Sequence, residues 1–343
     1  MSVLIRDLRI YGSASMPEDN VSTAGGAVTF STKVTFVDVT NDTLDYVSDS
    51  ASDTAVVLTA YGRDTTGVIV NEAKTLTGAT VVAGSQSFQR LLKCVASGTS
   101  AAGNVAAISH TAVVSTRTAQ GGANASGTTD AFITLQSGDG ASCVAGDIVR
   151  LLNNTPSGVQ FLLKEIVALS GDTAYVDSDW STVPTSSTTY SVFKGFFLNK
   201  VPNQITTITR IDYNAASDVS GGSTRNFMTK VFFVNNNTAT ALTVGVISKT
   251  VDLSSGTFNF ALTSALNDTA TVTNRLTAPV TGVTAFTSGA ATQSINVPSP
   301  QNLPSGAAPN AAGAQGCWTQ VVLTAGLGPA NTSETMQVQG QTT

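Results

Sequence analysis

Few residues in this chain could do chemistry, and their spacing argues against joint action. His110 is the single histidine, and it stands between Ser109 and Thr111, which invites a base-and-nucleophile reading. A Ser-His-Asp relay is defined by geometry in space, which adjacency in sequence does not supply. The simpler expectation is an exposed loop histidine. Asp42, Asp45, Asp49 and Asp53 form the densest run of carboxylates. Oxygen-rich loops can hold calcium, yet this run lacks the ligand spacing and central glycine of an EF-hand. Turn-forming Asp residues between strands account for it more simply. Glu165 lies between Lys164 and Ile166 in an apolar stretch, the one setting that would raise a carboxylate toward the pKa of a glycosidase acid. If that stretch is a strand, Lys164 points to the opposite face, and a solvated strand edge is the expected place for Glu165.

Cys94, Cys143 and Cys317 lie far apart and form no C-x-x-C, so they read as small core residues rather than disulfide partners or metal ligands. With one histidine, a zinc site would have to rest on carboxylates. No Gly-rich loop leads into a helix-forming segment, so no phosphate cradle is expected. The sequence therefore assigns no catalytic, cofactor-binding or metal-ligating residue, and the expectation is a protein that is not an enzyme and carries no cofactor.

Composition narrows the partners. Of 343 residues, 17 are Lys or Arg and 22 are Asp or Glu, a net charge of −5. The basic residues are scattered, which gives no grip on phosphate and excludes nucleic acid as the expected partner. Arg6, Asp7 and Arg9 interrupt the first ten residues, so no secretory signal is expected and synthesis is placed in the cytoplasm. No run of about 18 to 20 apolar residues occurs, so no membrane-crossing helix is expected.

The elements that must position these residues read as strands. Glu, a helix former, appears only at Glu18, Glu72, Glu165 and Glu334, while Asp, Thr and Val are plentiful, a bias toward turns and strands. The chain is expected to be all-β. Strands are predicted at 30–39, 55–61, 68–76 and 88–95, then at 131–135, 147–152, 159–169, 173–176 and 188–193. Further ones are predicted at 205–213, 227–234, 242–251, 258–262 and 321–323. The Gly-, Ala-, Ser- and Thr-rich stretch 97–127 reads as linker or exposed loop. These spans suggest an N-terminal β-sandwich over 1–110, a small inserted β-barrel over 128–195 and a C-terminal β-sandwich over 196–343. One internal echo stands out: Phe30-Ser31-Thr32-Lys33-Val34-Thr35-Phe36-Val37 matches Phe227-Met228-Thr229-Lys230-Val231-Phe232-Phe233-Val234 at six of eight places, which raises the question of a duplicated domain. Val297 through Gly316 carries Pro298, Pro300, Pro304 and Pro309. It reads as an extended segment outside any ladder, either a surface loop or an arm laid on a neighbouring subunit.

Ser2 to Tyr11, Met16-Pro17-Glu18, Ala24-Gly25-Gly26-Ala27 and Leu58 to Arg63, together with Asn214 to Gly222 and Gly316-Cys317-Trp318, resemble virion structural proteins of tailed bacteriophages with immunoglobulin-like domains. The resemblance covers both ends of the chain and leaves the middle aside. It implies immunoglobulin-like sandwiches and a structural role in the virion, first as a capsid decoration or cement protein. A tail or neck component is the second expectation, and a receptor- or carbohydrate-binding module the third, with Trp180 and Trp318 as aromatic faces for sugars. An enzyme acting on the host envelope is the least expected. The implied partners are the major capsid protein or other virion proteins and further copies of the chain.

Overall fold

Apolar and polar residues alternate along many segments, the pattern of a pleated surface with one buried face. In Val56–Arg63 buried and half-buried residues alternate strictly. The computed structural model describes residues 3, 7–17, 22–98, 101–153, 155, 159–198, 224–250, 253, 256–289, 292–298, 301–306, 313–324 and 334–342. The chain is all-β: the described residues form strands and a 3-10 turn at Asp139–Ser142, with no α-helix. None of them therefore forms a helix long and apolar enough to cross a membrane.

Strands β1 (Leu8–Ser15) and β2 (Ala24–Val28) come first. Seven follow: β3 (Thr32–Asp42), β4 (Leu44–Ser48), β5 (Val56–Arg63), β6 (Ile69–Thr75), β7 (Val82–Ala83), β8 (Phe88–Gly98) and β9 (Val105–Ser109). They pair as β3-β8-β5-β6 and β9-β4-β7, and the two sheets enclose a core that includes Leu44, Tyr46, Leu58, Phe88, Leu91 and Val105.

Next come β10 (Val114–Thr118), β11 (Gly121–Ala123), β12 (Phe132–Thr134), β13 (Ile148–Leu151), β14 (Leu162–Ser170), β15 (Thr173–Val176) and β16 (Thr189–Phe193). Their order is β10-β16-β13-β14-β15-β12-β11. Its two ends are one run of chain, since Ala119 N–H donates to Thr188 O and Gln120 N–H to Thr134 O, each at 2.8 Å. That run reaches from β16 to β12, so the sheet closes on itself around Ile133, Val149, Leu151, Ile166 and Trp180.

Strand β17 (Gly195–Leu198) then returns to pair antiparallel with β9. In the sheet β17-β9-β4-β7, the strands β17, β9 and β4 are covered on both faces. One face meets the sandwich core; from the other, Val47, Ala106, Ile108 and Phe197 pack against Ile148, Phe161, Leu163 and Phe193. This corrects two expectations. The stretch 97–127 is no linker, because it contains β9, every residue of which is buried. Phe196 to Leu198 belong to the first sandwich and not to the C-terminal one. Both errors have one cause: a strand covered on two sides has no polar face, so Val105-Ala106-Ala107-Ile108 shows no alternation.

The chain divides into two compact units, one of Leu4–Arg6 with Phe30–Ile208 and one of Met1–Val3 and Asp7–Thr29 with Thr209–Thr343. The second unit contains β18 (Arg225–Asn235), β19 (Leu242–Lys249), β20 (Thr257–Leu266), β21 (Thr271–Val272), β22 (Gln293–Asn296), β23 (Gln315–Leu323) and β24 (Met336–Thr342). Its sheets are β20-β23-β18-β1-β2-β21 and β22-β19-β24. Strand β1 pairs antiparallel with β18 from Leu8 opposite Asn235 to Gly12 opposite Val231. The boundary drawn around 1–110 thus gives way, because pairing partners more than 200 residues apart leave no local pattern.

Strands β18 to β24 repeat the pairing of β3 to β9. In each set the sixth strand lies between the first and third, and the second between the fifth and seventh. Only the fourth differs, β6 joining β5 and β21 joining β2. The octapeptide echo falls on the first strand of each set. The Pro-rich stretch, where described, is held within its own unit: Leu303 is fully buried and exchanges backbone hydrogen bonds with Leu242 on β19, and Gln315 and Gly316 begin β23. This overturns the arm expectation for those residues. The strand predicted at 205–213 lies outside the described residues, as does Asn214 to Gly222.

Candidate functional site

Strand β14 presents its residues to two environments in turn. Leu162 and Ile166 face the core of the closed sheet, whereas Leu163 faces the sandwich. Glu165 shares the face of Leu163 and lies opposite Ile148 on β13, on the side of the strand where Leu163 and Ile148 pack in an apolar cluster. Lys33 on β3 meets it there, Nζ to Oε1 at 2.6 Å, with each side chain 1% exposed. The expected solvated edge is therefore wrong: Glu165 is a buried ion-pair partner that fastens the inserted closed sheet to the first strand of the sandwich. Asp177 orients the same strand by accepting the Glu165 N–H at 2.9 Å. Lys164 does face the other way, donating to Ser178 Oγ at 2.6 Å beneath the Trp180 ring.

Within the Asp42–Asp53 run, Asp42, Asp49 and Asp53 accept backbone N–H groups, while Asp45 lies against the His110 side chain. Asp42 accepts the N–H groups of Thr43 (2.9 Å) and Thr111 (2.7 Å). Asp49 accepts the N–H of Asn104 at 2.7 Å and its side-chain amide at 2.9 Å. Asp53 accepts from Ser48 Oγ and from the N–H groups of Ala102 and Gly103, at 2.6, 2.6 and 3.1 Å. Asp49 and Asp53 tie the turn between β8 and β9 to the end of β4, and Asp42 ties the start of β4 to the segment after β9. A Cβ at Gly103 would lie 2.3 Å from Asp49 Oδ1, so the clamp needs glycine at that place. Burial pushes the Asp49 carboxyl up, against hydrogen bonds from Asn104. Among the described residues no group of three or more His, Cys, Asp or Glu is placed to hold a metal ion.

His110 is an exposed loop residue, its side chain 66% accessible, with Nδ1 3.3 Å from Asp45 Oδ2. The neighbouring Ser109 hydroxyl donates to Thr111 O at 2.8 Å and accepts from Lys194 N–H, so it is not held by the imidazole. Neither tryptophan offers a face to sugar. Trp180 is buried with its Nε1–H on Phe132 O at 3.0 Å, and Trp318 is fully buried in the core of its unit. Cys94, Cys143 and Cys317 are free and buried, as expected of small core residues; burial pushes the Cys143 thiol up to about 12.

Sequence reasoning missed the lysines. Lys230, the echo counterpart of Lys33, is also fully buried. Its Nζ donates to Asp268 Oδ2 at 2.5 Å and to the carbonyls of Asp268, Gly26 and Ala270 at 2.9 to 3.1 Å, with the rings of Phe232 and Trp318 alongside. Burial holds its pKa below the usual lysine value, partly offset by Asp268. The available signal was a lysine repeated within the echo, between Thr and Val in both copies. Chemically, this set of groups fastens strands and turns to one another. No protein-family model matches the chain, and no curated protein or solved structure matches it.

Proposed function

We propose that the chain is a structural component of a bacteriophage virion, a decoration or cement protein seated on the capsid shell, acting through surface contacts with the major capsid protein and with its own copies. The observation that carries this reading is the use made of the carboxylates: those of Asp42, Asp49, Asp53 and Glu165 are internal fasteners of turns and strands. The sequence resemblance at the two ends supplies the virion context. The repeated seven-strand unit adds support, because its 2–5 and 3–6 strand pairs are those of the immunoglobulin sandwich, although the first, fourth and last strands lie on the opposite sheets.

Fold likeness does not choose a place in the particle; copy number and particle stability do. A cement protein should be present in hundreds of copies per virion on a stained gel, in the way a shell lattice demands. Particles lacking it should release genome at lower temperature or milder osmotic stress than complete ones. Equal stability of the two particles, with few copies per virion, would overturn the cement reading in favour of a tail or neck part.

A further inference from the structure

Among the described residues, strand β24 is an outer strand with neither charge nor proline to guard it, its pairing with β19 shifting register only between Thr243 and Val246. Its residues, Met336-Gln337-Val338-Gln339-Gly340-Gln341-Thr342, include no charge and no proline, and among the described residues it pairs only with β19. Gln337, Gln339, Gly340, Gln341 and Thr342 are exposed. Exposed strand edges template pairing with other chains, and proteins block them with charges, proline, bulges or short length. Other outer strands of the molecule are blocked: β6 carries Glu72 and Lys74, β22 has four residues, and β20 is covered where Thr284 and Thr287 donate to Leu262 O and Phe260 O. The repeated topology shows what this edge accepts. The seventh strand of the first sandwich, β9, occupies the place of β24 and is covered by an extra antiparallel strand, β17.

The geometry points to β24 as a self-association edge, two copies of the chain pairing β24 against β24 antiparallel about a two-fold axis. In such an interface the residue on the axis meets its own copy and every other residue meets its mirror position, so a charge at the centre would face itself and one beside it would lie diagonal to it; β24 has none. Centred on Gln339, the pairing sets Gln337 opposite Gln341 and the larger Val338 opposite Gly340, and it continues the sheet β22-β19-β24 into that of the partner. This inference stands on the strand edge alone and does not depend on the virion reading.

The test is the solution mass of the full chain by light scattering and sedimentation. The wild type should run at twice the chain mass of 35.0 kDa. Q337K/Q339K should run as a monomer with unchanged circular dichroism and Tm, its self-affinity at least about 100-fold weaker, since like charges face each other across the axis. Mixing Q339K with Q339E should restore the dimer. A wild type that stays monomeric at the highest soluble concentration would overturn the inference, as would a dimer indifferent to Q337K/Q339K.

Discussion

The first strands of the two sandwiches carry the same buried lysine and hold it in different ways. Lys33 meets a carboxylate as buried as itself, brought by β14 from 132 residues away. Lys230 is cradled by three backbone carbonyls and by Asp268, whose side chain is 21% exposed. An ion pair sealed from water must repay two desolvation costs through mutual attraction, so removal of either member is severe. A lysine cradled by carbonyls keeps most of its partners when the carboxylate goes. One strand position thus serves as the anchor of an inserted domain in the first unit and as a pin for a local loop in the second.

The largest effect is expected where that contrast is sharpest. Glu165→Ala should cost about 3–5 kcal/mol in chemical denaturation, and Lys33→Met with Glu165→Leu should recover most of it. Equal losses in the single and double variants would show that the pair does not act as a unit. Asp53→Ala, which removes three hydrogen bonds from the β8–β9 clamp, should cost about 2–3 kcal/mol, and hydrogen exchange at Ala102 and Gly103 should rise with it.

Acidity separates the units next. Burial raises the Asp147 carboxyl from 3.8 to about 6 against its hydrogen bond from Val144 N–H. The native state therefore binds the proton more tightly than the unfolded chain, and the charged form costs stability as pH rises through 6. Asp147→Asn should stabilise by roughly 2 kcal/mol at pH 7.5, and the gain should vanish below about pH 4, where both states are protonated. A gain that does not change with pH would assign it to packing.

In the second unit Asp268→Ala should cost only about 1 kcal/mol, because the three carbonyls still hold Lys230. A loss as large as that of Glu165→Ala would break the comparison. The smallest effect is expected from metal: added calcium or a chelator should leave Tm unchanged, since Asp42, Asp49 and Asp53 already accept backbone N–H groups.

Composition alone determined that the chain is all-β, and apolar runs bounded by turn residues placed β3, β5, β6 and β8; in β5 the strict alternation of buried and half-buried residues records its one face on a core. The sequence also made the echo visible. Only the tertiary structure decided the roles of β9 and β17, whose uniform small and apolar residues follow from burial on both faces. It decided, too, that β1 closes onto β18. The candidate residues divide in the same way. His110 was legible as a loop residue, since nothing distant was needed to place it. Glu165 was not, because alternation says which face a side chain takes but not what covers that face; its partner, Lys33, is supplied by a strand far away in sequence, and burial of a charge depends on that partner being there.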